Sequence, residues 1–487
     1  MSQPITETAP DREEIKFPSY PNLKILERKF LRRTNFELLR SHLDFATIRI
    51  VKSRSSPIRR LATVKRSHPI VSFHYLQKYF LLYEMDSKSD SDDSEESYLK
   101  LDNLPPEIFL HICSFISSKF VINVLSKVCQ QFNDIIQNDT TWRMRISMTW
   151  PKKYPLIPDP DIDWKEACIA REEHYYLWKN SGENMKMFHL KDAHFGSVNV
   201  VNILEDGWIC ASGGRDGALK LWNILNLKET LEPQDYKSCL LNSRTGAHGN
   251  AWLWSISYDK QNKMMYSGGF DCNIKTWDLD NPFLPVTSYS LASPILCLAF
   301  SHNSLASGCY GRSVSLFDPR VSLQPVLQHI HHKKPVICIA SDEKFIISGS
   351  EDKTVVVYDK TARKVLNTIQ FEGFPLSMSY DCKQLLVGDV LGFFHVIDPT
   401  NESFTKEKTY ETGHKLKVTG IQHSLGSIIT CSTDKTIRIL EPNHNPEPIA
   451  VLNCSSEISK ISAYKTVLAS ANTDDSITIW LPEEECS

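Results

Sequence analysis

No stretch of this 487-residue sequence reaches the roughly 18 consecutive apolar residues that a membrane-spanning helix needs, so no membrane span is expected. Neither sign of charge dominates: 55 Lys and Arg stand against 58 Asp and Glu, a formal net charge of −3. A balance this close to neutral gives no reason to expect a nucleic-acid or membrane surface over the whole chain. The 13 cysteines include no CxxC pair, and Cys210, Cys297, Cys338 and Cys431 lie inside short apolar runs, where a thiol acts as a small hydrophobe. Buried free thiols are expected, not a metal site or a disulfide framework. There is no phosphate-cradling glycine loop, no GxSxG elbow and no HExxH pair. No catalytic group, metal or cofactor is therefore expected. The acidic N-terminal residues Glu7, Asp11, Glu13 and Glu14 do not suit a secretory or transit leader, and a cytoplasmic or nuclear protein is expected.

What is present is a chain with 41% hydrophobic residues, long enough for about three domains. Residues 1–83 form a basic arm, with Lys24, Arg28, Lys29, Arg32, Arg33, Arg59, Arg60, Lys65 and Arg66 among its charges. It carries no nucleic-acid fold signature, so nucleic acid is not the expected partner, and both a docking arm and a solvated leader stay open. Residues 84–98 reverse the sign: Glu84, Asp86, Asp90, Asp92, Asp93, Glu95 and Glu96 alternate with serines. Ser87 and Ser89 each have an Asp three residues on, which suits an acidophilic kinase, while a plain hydrophilic linker explains the composition as well.

From Leu101 the pattern becomes helical. Pro105 and Pro106 suit a first helical turn, followed by Glu107 at the positive end of the dipole. Ile108, Ile112 and Phe115 or Ile116 make one apolar stripe, Val121, Val124, Leu125, Val128 and Phe132 a second, and Ile135, Ile136 and Trp142 a third. Three short helices over residues 99–146 bury too little to stand alone, and a partner is expected. In Leu104-Pro105, Glu107-Ile108, Ile112, Phe115, Val128-Cys129, Phe132, Asp139 and Trp142 this stretch resembles the F-box, with Phe132 where many members carry Trp. The resemblance implies binding to the Skp-type adaptor of cullin-RING ubiquitin ligases, and through it to cullin and RING-box subunits. The contacts it implies are Leu104, Pro105, Ile108, Ile112, Phe115, Leu125 and Val128. Residues 147–183 follow as a linker region, in which Asp163 with Glu166 three residues later marks a helix start and Trp164, Cys168, Tyr175 and Trp178 recur near helical spacing to about Lys179.

The remainder, residues 184–482, is repetitive. Equivalent turn positions fall at Asp216, Asp271, Gly311, Asp352, Leu391, Asp434 and Asp474, in steps of 55, 40, 41, 39, 43 and 40 residues. That is the period of one four-stranded propeller blade. The unit resembles the WD repeat: His194, Ser212, Asp216 and Trp222 reproduce its His, Ser, Asp and Trp set, as do His248, Ser267, Asp271 and Trp277. These sets are expected to be structural struts, because an active site does not recur blade after blade. Gly311 and Leu391 replace the turn Asp in repeats three and five, so those blades are expected to lack the network and to be softer. The last repeat ends at Trp480 with little chain left, and Met185–Leu190 is expected to supply its outer strand and close the ring.

A propeller presents its turns and the starts of its inner strands at one face. The turn-side set is Arg215, Phe270, Tyr310, Glu351, Val390, Thr433 and Thr473. On the inner strands, Trp252, Trp254, Pro294, Leu296, Pro335, Ile337, Pro375, Ser377 and Lys417 are placed there with their counterparts in the other blades. Only Arg215 and Lys417 of these are basic, opposed by Glu351 and Glu457, so the arginine cluster that would grip a phosphate is missing. Trp252, Trp254, Phe270, Leu296, Tyr310 and Ile337, with Arg215 and Lys417, form the candidate site for an apolar or aromatic peptide. The alternative is that the two tryptophans lie buried between blades. The whole chain resembles the F-box/WD-repeat substrate receptors of ubiquitin ligases, an all-α F-box and linker helix followed by an all-β seven-bladed propeller. A scaffold that binds the adaptor without delivering substrates is the other reading.

Overall fold

The computed structural model describes residues 106–483 except 230–235, 281–284 and 322–323. The basic arm, the acidic serine segment, Leu104 and Pro105 lie outside the described residues, as does the side chain of Ile108. The chain divides into two compact units with the boundary between Phe115 and Ile116. The described part of the first is helix α1 (Pro106–Cys113), which starts at a proline as its missing N–H allows.

The second unit opens with α2 (Ser118–Asn123), α3 (Gln130–Gln137) and α4 (Asp139–Thr149). Ser117, Cys129 and Asn138 cap them by accepting from the amides of Phe120, Phe132 and Thr140. Val121, Phe132, Ile136 and Trp142 are buried, and Trp142 Nε1 donates to the Ile136 carbonyl at 2.8 Å. Helix α5 (Trp164–Gly182) begins where Asp163 Oδ1 accepts from the amides of Lys165 and Glu166, each at 3.0 Å. Its regular part ends at Trp178: Lys179 is extended, and Asn180 and Ser181 turn left-handed.

Seven four-stranded antiparallel sheets follow. After β1 (Met185–Leu190), blade 1 runs from centre outward as β2 (Val198–Leu204), β3 (Ile209–Gly214), β4 (Leu219–Asn223) and β5 (Leu240–Arg244), with α6 (Ile224–Glu229) before its last strand. Blade 2 is β6 (Leu253–Asp259), β7 (Met264–Gly269), β8 (Asn273–Asp278) and β9 (Pro285–Ser290). Blade 3 is β10 (Ile295–Ser301), β11 (Ser304–Cys309), β12 (Val314–Phe317) and β13 (Leu327–His329). Blade 4 is β14 (Val336–Ser341), β15 (Phe345–Ser350), β16 (Thr354–Asp359) and β17 (Lys364–Gln370). Blade 5 is β18 (Pro375–Tyr380), β19 (Leu385–Asp389), β20 (Phe393–Asp398) and β21 (Thr405–Glu411). Blade 6 is β22 (Val418–His423), β23 (Ile428–Ser432), β24 (Thr436–Leu440) and β25 (Pro448–Asn453). Blade 7 is β26 (Ile458–Tyr464), β27 (Val467–Asn472) and β28 (Ile477–Pro482), completed by β1. Met185 pairs with Pro482 and Leu190 with Ile477, so the ring closes through the expected strand and that sheet edge is covered.

The core lies between adjacent blades. Phe188, Leu190, Ile477 and Ile479 of blade 7 share one cluster with Val201, Cys210 and Trp222 of blade 1. The approach is close enough to demand glycine at Gly308, where a Cβ would stand 2.5 Å from Cys297 Sγ and 2.6 Å from Val336 Cγ1 of the next blade. Cys210, Cys297, Cys338 and Cys431 are buried and free, and burial pushes the thiols of Cys210, Cys338 and Cys431 up to about 12.

Helix α5 fastens the other helices of this unit to the ring. Glu172 accepts from Arg145 Nε at 2.8 Å and from the Ser118 amide at 2.8 Å, tying α4 and α2 to it. On the propeller side, Leu177 and Trp178 pack with Ile429, Ile437, Ile439 and Leu452 of blade 6. His174 Nδ1 meets Ser427 Oγ at 2.8 Å, and the Arg171 guanidinium lies over Trp150 and Tyr154 at 4.3 and 4.6 Å. The expected aromatic stripe is thus divided: Trp178 is buried against the ring, while Tyr175 is exposed and meets Trp150 edge-on.

Candidate functional site

The face that collects the turns is built by a repeated backbone device. In each blade the inner strand shifts register after its first residue, so one residue bulges: Asn199, Trp254, Leu296, Ile337, Leu376, Thr419 and Ser459. In blades 1 to 5 and 7 the residue before the inner strand accepts a backbone bond from the turn-side residue. The Arg215 amide donates to the Ser197 carbonyl at 3.0 Å, Phe270 to Trp252 at 2.8 Å, Tyr310 to Pro294 at 2.9 Å and Glu351 to Pro335 at 3.1 Å. The two sets placed from the sequence therefore meet.

In blade 5 the placement was one residue off. The Val390 amide donates to Phe374, and Pro375 is already the paired first residue of β18 opposite Asp389. Pro375 and Ser377 are buried, while Phe374 and Leu376 hold the face positions.

The struts beneath the face form as expected in blades 1 and 2. His194 Nε2 meets Ser212 Oγ at 2.8 Å and its Nδ1 meets Asp216 at 3.0 Å, while Trp222 Nε1 donates to Ser212 at 2.9 Å. His248 repeats this with Ser267 at 2.7 Å and Asp271 at 2.8 Å, and Trp277 donates to Ser267 at 2.8 Å. Blades 4 and 6 have variants in His332 with Ser348 and Asp352, and His414 with Thr430 and Asp434. Blade 5 does not lack a network. Its buried Asp389 accepts from the amides of Leu391 and Phe393 at 3.0 and 2.9 Å and meets His395 Nε2 at 3.2 Å. Blade 3 has no such carboxylate, and the Gly311 amide donates to Ser293 Oγ at 2.6 Å instead. These histidines are occupied as hydrogen-bond partners of buried carboxylates and hydroxyls, a supporting role.

On the face, Trp252 and Trp254 stack with centroids 6.2 Å apart, and Phe270 lies 5.2 and 5.5 Å from them. The alternative of tryptophans hidden between blades is set aside for Trp252, which is 39% exposed; Trp254 and Phe270 are half-buried. Arg215 does not turn toward Glu351 or Glu457: its guanidinium lies 4.7 Å over the Trp252 ring. Tyr310 is exposed in blade 3, Ile337 half-buried in blade 4 and Lys417 exposed in blade 6, whereas Leu296 is 8% exposed and offers little open surface.

Residues not placed from the sequence widen this face. Phe195, Lys333 and Lys415 each follow a strut histidine, and their amides donate to Asp216, Asp352 and Asp434 at 3.0, 2.8 and 2.9 Å. Lys353 and Lys435 follow the turn aspartates in left-handed conformation. The signal for all five was their fixed offset from the strut residues.

For the helices, Phe115 is exposed and Ile112 is buried in the first unit. In the second, Val128 is exposed and Leu125, in a short 3₁₀ turn (Leu125–Lys127), is half-buried. Val124 adds a further exposed apolar side chain.

Comparison with known proteins agrees with this architecture. An F-box-like family model matches residues 101–146, and the model described as WD domain, G-beta repeat matches residues 239–278, 323–359 and 405–440. F-box/WD repeat-containing protein 9 of Homo sapiens is 34% identical over 378 residues, 78% of this chain and 82% of that protein. F-box/WD repeat-containing protein mec-15 of Caenorhabditis elegans is 25% identical over 79% of this chain and 96% of its own. The crystal structure of the WD40 β-propeller domain of Doa1 covers 62% of this chain and 98% of its own at a TM-score of 0.53 and 20% identity, a likeness of fold alone. The F-box and the propeller are modules of the non-catalytic, adaptor type. With both modules in this order and a relative of this identity matched over most of its length, the chain belongs to the F-box/WD-repeat family.

Proposed function

We propose that this protein is the substrate-recognition subunit of an Skp–cullin–F-box ubiquitin ligase. The single observation that carries the reading is an F-box-like segment at residues 101–146 on the same chain as a seven-bladed propeller. The F-box docks to the Skp-type adaptor, and through it to cullin and RING-box subunits, with Leu104, Pro105, Ile108, Ile112, Phe115, Leu125 and Val128 as the contacts. The propeller face around Arg215, Trp252, Trp254, Phe270 and Tyr310 holds a target in the cytoplasm or nucleus. The mechanism is proximity: a bound target lysine is kept at high effective concentration near the ubiquitin thioester, and this chain supplies no acid, base or nucleophile.

The test is a quantitative pull-down from cells with the cullin arm blocked, comparing wild type with Leu104→Ala/Pro105→Ala and Trp252→Ala/Trp254→Ala. The first variant should lose adaptor and cullin and keep other partners; the second should do the reverse. If the face variant keeps every partner, or the F-box variant keeps the adaptor, the receptor reading fails and the scaffold takes its place.

A further inference from the structure

The aromatic side chains of the turn face lie mainly on blades 1 to 3, with Arg215 and the exposed Arg312 among them, and the lysines gather on blades 4 and 6. Blades 1 to 3 present Phe195, Arg215 already stacked on Trp252, Trp254, Phe270 and Tyr310. Phe195 is 88% exposed and Tyr310 58%, so these rings form an open apolar arc. Blades 4 and 6 present Lys333, Lys334, Lys353, Lys415, Lys417 and Lys435, all exposed and none ion-paired with a described residue. Asp352 and Asp434 beneath them are engaged by the amides of Lys333 and Lys415 and by His332 and His414, while Glu351, Glu372, Glu411 and Glu457 remain as carboxylates near these turns.

We propose that the target segment is a peptide combining an apolar or aromatic anchor with a run of unphosphorylated carboxylates, the anchor seated on the arc of blades 1 to 3 and the carboxylates along the lysines of blades 4 and 6. This rests on the reading of the turn face as the target site. Charge complementarity carries it: six unpaired ammonium groups on one half of a face favour a negative partner and raise its rate of encounter. Lysine also fits a run of Asp and Glu in varied geometry, whereas a single phosphate is matched best by the guanidinium fork.

The test is selection of a random peptide display library on the full chain, followed by affinity measurement of the selected peptides by fluorescence polarisation. Wild type should enrich peptides with an aromatic or large aliphatic residue beside several Asp or Glu. Lys333→Glu/Lys415→Glu/Lys417→Glu should weaken those peptides about tenfold at low salt and select sequences that keep the anchor and lose the acids. Enrichment of the anchor alone by wild type would overturn this inference and leave the face reading intact. Peptides that bind equally to Trp252→Ala/Trp254→Ala of unchanged melting temperature would remove the face reading itself. A labelled oligouridylate that binds tighter than the best peptide, and is lost in the lysine variant, would assign the arc to nucleic acid and overturn the proposal.

Discussion

At the scale of single residues the propeller depends on carboxylates that are buried and answered. Burial alone would raise the pKa of Asp216, but His194 and the amides of Phe195 and Ala218 bring it down from 3.8 to about 2. A folded value below the unfolded one means this contribution is complete above about pH 4 and is lost as pH falls from there to about 2. Asp216→Ala should therefore lower stability by about 1–3 kcal/mol at neutral pH and flatten the acid limb over that window, as followed by denaturant melts of variant and parent. His174 works through neutrality instead. Burial against blade 6 lowers it from 6.5 to about 4, so its contribution is full above pH 6.5 and lost as pH falls toward 4. A His174→Gln variant, which keeps a hydrogen-bonding group for Ser427, should show a smaller drop in melting temperature between pH 7 and pH 5 than the parent. An equal drop in both would show that this histidine stays uncoupled from folding.

At the scale of elements, the repeat was legible because each blade must place alternating apolar residues at the same distance from a tight turn. The spacing also gave the closure by β1, since an unfilled sheet edge in blade 7 and an unassigned strand pattern at Met185–Leu190 answer each other. Leu190 and Phe188 are buried in the seam between blades 7 and 1. Leu190→Ala should cost about 2–5 kcal/mol, and a chain beginning at residue 192 should melt well below one that includes β1. A normal melting temperature for the shortened chain would show that the ring does not need this strand. Register was less legible. Pro294 and Pro335 precede their inner strands, so Pro375 looked equivalent, yet it begins β18 itself. Blade 5 was likewise misjudged as unsupported, because its carboxylate, Asp389, sits two residues before the turn position and its histidine, His395, on the following strand. Blade 3 remains without either group. Its Gly311 turn should exchange amide hydrogens faster than the Asp216 turn of blade 1, and equal protection would show that the struts do not set local stability.

At the scale of the molecule, one chain carries an F-box-like helical segment and a ring. In the second unit, helix α5 is held to both α2 and α4 through Glu172 and to blade 6 through Trp178 and His174. Under the proposed proximity mechanism, the fastening of α2 and α4 to the ring limits where a target lysine can reach. The modules were legible from motif and period. The polarity of the face was not, because Phe195, Lys333 and Lys415 take their positions from backbone bonds to strut aspartates and from no periodicity of their own. The most direct measurement of the central claim is calorimetric binding of a purified Skp-type adaptor to the full chain and to Leu104→Ala/Pro105→Ala. Wild type should form a one-to-one complex, and the variant should bind at least a hundredfold more weakly at an unchanged melting temperature. No binding by wild type, or equal binding by both, would contradict it.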